Sequence, residues 1–345
     1  MRPRVAVVLF NLGGPDRPEA IGRFLLNLFS DPAILRVPFF VRPFLARRIA
    51  AARLEPARAA YAALGGSSPL LGLTQKQASA LEADLPEVEA RCFIAMRYWH
   101  PFSDATARAV RDWQPDEVVL LPLYPQYSTT TTGSSLTAWR EAAASAGLAA
   151  RTSTLCCYPT DEGYVAATAA LLRTAWQTAR GALDPAIGLR VLFSAHGLPE
   201  PIVQAGDPYQ WQIEQTVAQV MRAWGEAADW ALCYQSRATP QRWIGPSTED
   251  EIERAGHDRM ALLVVPIAFV SDHSETLVEL DIDYRELAER QGVPGYFRVP
   301  TQNADPGFIA ALAGLVRHAR ERGPGLCSHA EGRICPADRR GCPWS

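Results

Sequence analysis

Apolar and polar positions fall into blocks along this chain. Residues 5–12, 91–98, 117–124, 190–195, 230–235 and 261–269 form short, almost continuously apolar runs. Runs of that length without polar alternation predict strands buried on both faces, the pattern of parallel sheets. Stretches rich in Ala, Leu and Arg lie between them and predict helices, for example over 104–113, 136–146, 164–178 and 213–227. The alternation predicts an α/β fold with parallel sheets flanked by helices. The two halves also echo each other. VVLFNLGGP near the start resembles VLFSAHGLP at 191–199, and DEVVLLPLYPQYS resembles RMALLVVPIAFVS. Two similarly built domains follow, 1–182 and 183–325, with a cysteine-rich tail over 326–345.

The segment 260–284, MALLVVPIAFVSDHSETLVELDIDY, begins as a buried strand and turns acidic with helical spacing. At about 100° per residue, Asp272, Glu275, Glu279 and Asp283 share one stripe, and Leu277, Leu280 and Tyr284 another. Like charges at this spacing repel, so the stripe suggests a cation or a proton relay. The alternative is a solvated face whose first-turn acids favour the helix dipole. His273, leaving the end of the strand, weighs toward function. SAHGLP at 194–199 repeats the motif: a buried strand ends at His196, and Gly197 permits a tight turn. Strand ends of a doubly wound sheet converge on one crevice, so His196 and Glu275 can face each other across a ligand.

Composition excludes several classes. A chain of 345 residues with 48% hydrophobic and 21% charged residues is globular. A net charge of −3 gives no reason to expect a nucleic-acid partner. No apolar run approaches a membrane span, and the first residues lack a signal-peptide layout, so the expected location is cytoplasmic. There is no G-x-G-x-x-G and no P-loop, which disfavours a nucleotide cofactor. Nothing like a nucleophile elbow surrounds Ser194. Residues 33–48, AILRVPFFVRPFLARR, read as a poor regular helix and a plausible flap. Its apolar residues would face an apolar ligand, an anionic membrane surface, or the protein's own core.

An ordered set of motifs then carries a family resemblance. NLGGP at 11–15, MRYWHP at 96–101, YPQYSTTTTGSS at 124–135, SAHGLP, GDPY at 206–209, YQSR at 234–237, WIGP at 243–246 and PIAFVSDHSETLVELDIDY together resemble the ferrochelatases. The resemblance implies two Rossmann-like domains with a porphyrin cleft between them. It also implies a lyase that inserts Fe²⁺ into protoporphyrin IX or coproporphyrin III and releases two protons. By position, His196 resembles the family's active-site histidine, taking a pyrrole proton or contacting the metal. Glu275 resembles the facing carboxylate, and His273 and Asp272 the pair that organises it. Glu279 and Asp283 fit an acidic path, with Asp281 a neighbour. Leu12, Arg97, Tyr98, Tyr124, Trp243 and Phe269 match porphyrin-pocket positions, and 33–48 the pocket lip, which can touch the inner membrane peripherally. The chemistry agrees: aromatic walls suit a macrocycle, arginine suits propionates, and a neutral histidine accepts a proton near physiological pH. A monomer and a homodimer both remain open. So do a chelatase for another metal or tetrapyrrole, and a non-catalytic carrier of haem or metal.

Three of the seven cysteines, Cys327, Cys335 and Cys342, crowd a tail rich in Gly, Pro and charge. In a cytoplasmic chain such crowding favours metal ligation over disulfides. Zinc with His329 as a fourth ligand is one reading. The resemblance implies another, because some ferrochelatases hold a [2Fe–2S] cluster with three C-terminal cysteines and one distant cysteine. The aligned distant position lies near Ala167; Cys156 and Cys157 stand slightly upstream, and Cys157 is the favoured fourth ligand. Cys92 and Cys233 lie within strands as small core residues.

Overall fold

The computed structural model describes residues 2–237 and 241–344. In chain order the described elements are β1 (Arg4–Asn11), α1 (Ile21–Ser30), α2 (Arg42–Ala63), α3 (Leu70–Ala83), β2 (Glu89–Met96), α4 (Ser103–Trp113) and β3 (Glu117–Pro122). They continue as α5 (Thr132–Ala146), β4 (Arg151–Leu155), α6 (Glu162–Ala182), β5 (Leu189–His196), α7 (Glu200–Gln204), α8 (Tyr209–Trp224) and β6 (Asp229–Gln235). The last are α9 (Thr248–Asp258), β7 (Ala261–Pro266), α10 (Tyr284–Arg290), β8 (Tyr296–Arg298), α11 (Pro306–Arg322) and β9 (Gly325–Cys327), with a π-helical segment, Glu275–Asp283, running into α10.

All strand pairs are parallel, in two sheets of order β2-β1-β3-β4-β9 and β6-β5-β7-β8. The expected α/β architecture is present. The apolar runs mark the central strands: Val5–Phe10 of β1 and Leu262–Val264 of β7 are wholly shielded from solvent. Strands β4, β8 and β9 had no such run, because β4 carries RTSTL and the other two are three-residue edge strands. Helix α8 stops three residues before its expected end. Gly225, at φ +80°, supplies the left-handed cap that closes it.

The chain forms two compact units, residues 1–157, 312–334 and 343–345 in one and 158–311 with 335–342 in the other. The expected boundary at 182/183 is displaced because α6 is part of the second unit. There Tyr164 Oη donates to the Ile267 carbonyl (3.0 Å), and Trp176 packs edge-on against Trp224 at 5.1 Å. The 326–345 tail is not a separate piece. Strand β9 pairs with β4, while the Gly341 N–H bonds the Gly206 carbonyl at 2.9 Å in the second unit.

Half of the expected flap is regular. Helix α2 begins at Arg42 with Pro43 in its first turn, where a missing N–H costs nothing. Arg42 ties the preceding turn by donating to the Leu35 and Val37 carbonyls at 3.2 and 3.1 Å. Ile34 and Leu35 pack against the cluster of Ile21, Phe24 and Trp99, whereas Phe39, Phe40 and Phe44 are 78, 72 and 68% exposed. The segment therefore divides between core and surface. Among the described residues no helix is long and apolar enough to cross a membrane.

Candidate active site

The second sheet brings its chemistry together at its carboxyl edge. His196 is the last residue of β5 and pairs in register with Gln235, the last of β6. The neighbouring strand β7 ends at Pro266 and leads to the loop carrying Asp272 and His273. His196 Nδ1 lies 2.6 Å from the Gly197 carbonyl, and His273 Nδ1 lies 3.1 Å from that of Ser271. A carbonyl only accepts, so each Nδ1 carries a ring proton and each Nε2 is the nitrogen that takes up or gives the second one. Both Nε2 atoms aim at one carboxylate: His196 Nε2 is 3.7 Å from Glu275 Oε1, and His273 Nε2 is 3.5 Å from Glu275 Oε2.

Burial works against the charge on Glu275, but the His196 charge and the contact with His273 outweigh it and hold the carboxyl at about 2. Burial would lower His273, and Glu275 reverses this, leaving its pKa above the ordinary histidine value. Gly197 has no room for a side chain. A Cβ there would come within 3.0 Å of the Gln235 carbonyl and 3.2 Å of the Trp243 ring. Trp243 stands 6.4 Å from the His196 ring, and Phe269 stands 4.7 Å from His273, both half-buried.

The acidic residues do not form the uniform stripe that α-helical spacing gave. Residues Glu275–Asp283 wind as a π-helix, with the Tyr284 N–H reaching back to the Glu279 carbonyl. Asp272 lies ahead of it and accepts from Arg298 (3.2 Å), Asn303 Nδ2 (2.8 Å) and Thr276 Oγ1 (2.9 Å). Thr276 Oγ1 in turn accepts the His273 N–H at 3.0 Å, so Asp272 positions the turn carrying that histidine. Asp281 is also held by Arg298, at 2.6 and 2.8 Å, which removes it from the expected path. Asp283 is exposed. Partial desolvation of the carboxyl and its neighbour Glu286 raise its pKa.

Glu279 is fully engaged. Its Oε2 accepts from Gln235 Nε2 (2.9 Å) and Ser236 Oγ (2.5 Å), and its Oε1 from Tyr284 Oη (3.1 Å). Burial first, then the charge of Glu275, raises its pKa above the usual carboxylate range. Gln235 also donates to the Glu275 carbonyl at 3.1 Å, and Ser236 sits in the left-handed region at φ +67°. Sequence reasoning gave neither residue a role. The signal was YQSR, quoted as a motif without any function for its two polar side chains.

The first unit holds a second polar cluster after β1 and β2. Arg97 Nη2 pairs with Asp31 Oδ2 at 2.8 Å, and its Nε donates to Ser134 Oγ at 2.6 Å. Tyr98 Oη donates to the same Asp31 oxygen at 2.8 Å, as does the Ser134 hydroxyl. Asp31 is 4% exposed and lies in none of the motifs that marked the site in the sequence. Arg97 is half-buried, with its side chain 24% exposed. Tyr98 is 1% exposed, so it braces Arg97 and does not line an open wall as expected. Leu12 and Tyr124 are half-buried beside it.

Six of the seven cysteines are buried free thiols, and Cys92 is half-buried. Cys156 and Cys157 place their sulfurs 3.4 Å apart, and Cys156 donates its N–H to the Cys327 carbonyl at 2.8 Å. Burial, with Cys156 beside it, pushes the Cys327 thiol up to about 12. In the second unit Cys335 Sγ accepts from Gln212 Nε2 at 3.2 Å. Among the described residues no group of three or more His, Cys, Asp or Glu side chains converges as a metal site. Soft, buried thiols with an amide donor at one sulfur do suit an iron–sulfur cluster in kind.

Residues 4–320 match the family model described as Ferrochelatase. The chain is 52% identical to the ferrochelatase of Caulobacter vibrioides, over 99% of this chain and 98% of that one. It is 51% identical to that of Phenylobacterium zucineum, over 96% and 97%. Among solved structures, SirB from Bacillus subtilis with Fe³⁺ aligns with a TM-score of 0.52 at 11% identity, covering 92% of this chain and 95% of that one. The sirohydrochlorin chelatase SirB in complex with cobalt gives 0.51 at 12% identity. At such identity these two likenesses speak to the fold alone.

Proposed function

The chain belongs to the ferrochelatase family, and we propose that it inserts Fe²⁺ into a porphyrin to make haem, with His196 and Glu275 as the working pair. The observation that carries this reading is one low-pKa carboxylate between two imidazoles, each with its Nε2 turned toward it. A porphyrin must lose two N–H protons before its nitrogens can bind iron. His196 Nε2 takes a pyrrole proton, and Glu275 stabilises the imidazolium that forms, as a general base with an electrostatic partner does. His273 holds Glu275 charged and oriented. Buckling of the ring, driven by binding energy, tilts the nitrogens toward that base. Arg97, fixed by Asp31 and Ser134, is suited to a propionate, and Trp243 and Phe269 to the macrocycle.

Anaerobic incubation with Fe²⁺ and protoporphyrin IX tests this, with coproporphyrin III in parallel. The fluorescence of the free porphyrin is expected to fall with turnover for at least one of them. Porphyrin binding without insertion would mark a carrier, and insertion of only another metal would mark a different chelatase.

Two further parts of the reading rest on single features. A [2Fe–2S] cluster on Cys327, Cys335, Cys342 and Cys157, or Cys156 in its place, is supported by the burial of these thiols and the Gln212 donor at Cys335. Metal insertion is redox-neutral, so the cluster would supply ligation that orders the tail and no electron. Anaerobically purified protein is expected to contain about two irons and two acid-labile sulfides per chain; zinc, or no metal, contradicts this.

Exposed Phe39, Phe40 and Phe44, with exposed Arg36, Arg47 and Arg48 close by in sequence, suit peripheral contact with an anionic membrane on its cytoplasmic side. Burying each ring is worth roughly 1.5–3 kcal/mol. Replacing all three by serine is therefore expected to weaken co-sedimentation with anionic vesicles by at least about tenfold. Unchanged partitioning contradicts the contact.

A further inference from the structure

Glu279 does not end the acidic line. Tyr284 Oη lies 3.1 Å from Glu279 Oε1 and 3.3 Å from Glu249 Oε1, so one hydroxyl touches two carboxyl groups. A tyrosine hydroxyl has a single proton and can donate to only one of them. The second contact is a hydrogen bond only when the other carboxyl is protonated and donates to the tyrosine oxygen. The geometry thus accommodates one more proton than three separate groups would hold. Glu279 is the natural seat of that proton, because burial and Glu275 both disfavour its charge. Glu249 is the natural acceptor. It lies in the first turn of α9, where the helix N-terminus favours an anion, and its Oε2 is buried with no hydrogen-bond partner. Asp283 has no such link, for no hydrogen bond or ion pair joins it to Glu279 among the described residues.

We propose that Tyr284 and Glu249 form the exit segment of the proton path, carrying protons from Glu279 to the surface at the start of α9. This rests on the reading of His196 and Glu275 above. The step balances as a relay. Glu279 gives its carboxyl proton to the Tyr284 oxygen while the Tyr284 hydroxyl proton moves to Glu249, leaving a carboxylate at Glu279 and a neutral acid at Glu249. Glu249 is half-buried beside exposed Asp250 and returns the proton to solvent. The other groups around the tyrosine do not compete. Cys233 is a thiol that burial pushes up to about 12, and Ser236 and Gln235 are occupied as donors to Glu279. Tyr284 itself is 5% exposed, and burial, followed by its two carboxylates, raises its pKa, so it relays as a neutral hydroxyl.

The test uses Tyr284→Phe, Glu249→Gln and the double variant in the anaerobic insertion assay, with Glu253→Gln on the exposed face of α9 as control. Both single variants are expected to lower kcat by at least about tenfold with KM for porphyrin and iron unchanged. The double variant should be no slower than the slower single one, since the groups act in series. Added acetate should raise kcat for Glu249→Gln, because a small acid can accept the stranded proton; a merely structural loss would not respond. Wild-type kcat in either single variant, multiplicative losses in the double, or a loss shared by kcat and KM overturns the relay. Should Tyr284→Phe fail to fold, Glu249→Gln alone decides. An inactive wild-type chain, or an active His196→Ala, would instead overturn the underlying assignment.

Discussion

His196→Ala is expected to lower metal insertion by about 10²- to 10⁴-fold, the usual contribution of a positioned general base, while thermal stability and porphyrin binding stay close to wild type. The fold should survive because the side chain makes few structural contacts. Its Nδ1 bonds only the carbonyl of the next residue, and its ring is half-exposed at the edge of β5. The strand is held by neighbours on both sides and by Ser194, whose hydroxyl donates to Gln235 Oε1 at 2.8 Å. Insertion assays, melting curves and porphyrin titration on the one variant separate these effects. Turnover near the wild-type rate would remove the histidine from the chemistry.

Glu275→Gln carries the second large effect, and its pH dependence identifies the cause. Glutamine keeps the volume but removes the charge between two imidazoles, so kcat should fall by about 10²- to 10³-fold. The stability signs are as follows. Glu275 is held at about 2, below its ordinary 4.5, so its contribution is present above about 4.5 and lost as pH falls through about 2. His273 is raised above its ordinary 6.5, so its contribution is present below 6.5 and lost as pH rises through its folded value. The two overlap between about 4.5 and 6.5. The melting-temperature loss in Glu275→Gln should therefore be largest in that window. It should shrink at alkaline pH, where the wild-type carboxylate is buried beside a neutral His273. A loss that grew with pH would contradict the assignment of charges.

Much of this was legible in the sequence, and what was not has physical reasons. Central strands announce themselves because both faces are buried, which is why β1, β5 and β7 stood out while RTSTL of β4 did not. His196, His273 and Glu275 were visible because each follows a buried strand closely, and strand ends place side chains predictably. Asp31, Gln235, Ser236 and Glu249 were not, since each acquires its role from a partner distant in the chain. Asp272 fell off the stripe because it precedes the π-helical segment, and Asp281, a neighbour by resemblance, is drawn from the path. Their shared partner Arg298 lies on a three-residue strand without an apolar run. The lip at 33–48 showed its composition but not its division. Only tertiary packing sends Ile34 and Leu35 to the core and leaves three phenylalanines in solvent.

The central claim, that His196 takes a proton from the porphyrin while Fe²⁺ enters, is tested most directly by a single-turnover reaction in weakly buffered solution. Porphyrin fluorescence and proton release are followed together, for the wild-type chain and for His196→Ala. The account predicts that wild type consumes porphyrin and releases two protons per ring, while the variant binds porphyrin and does neither on the same timescale. Metal insertion and proton release by His196→Ala at the wild-type rate would contradict it.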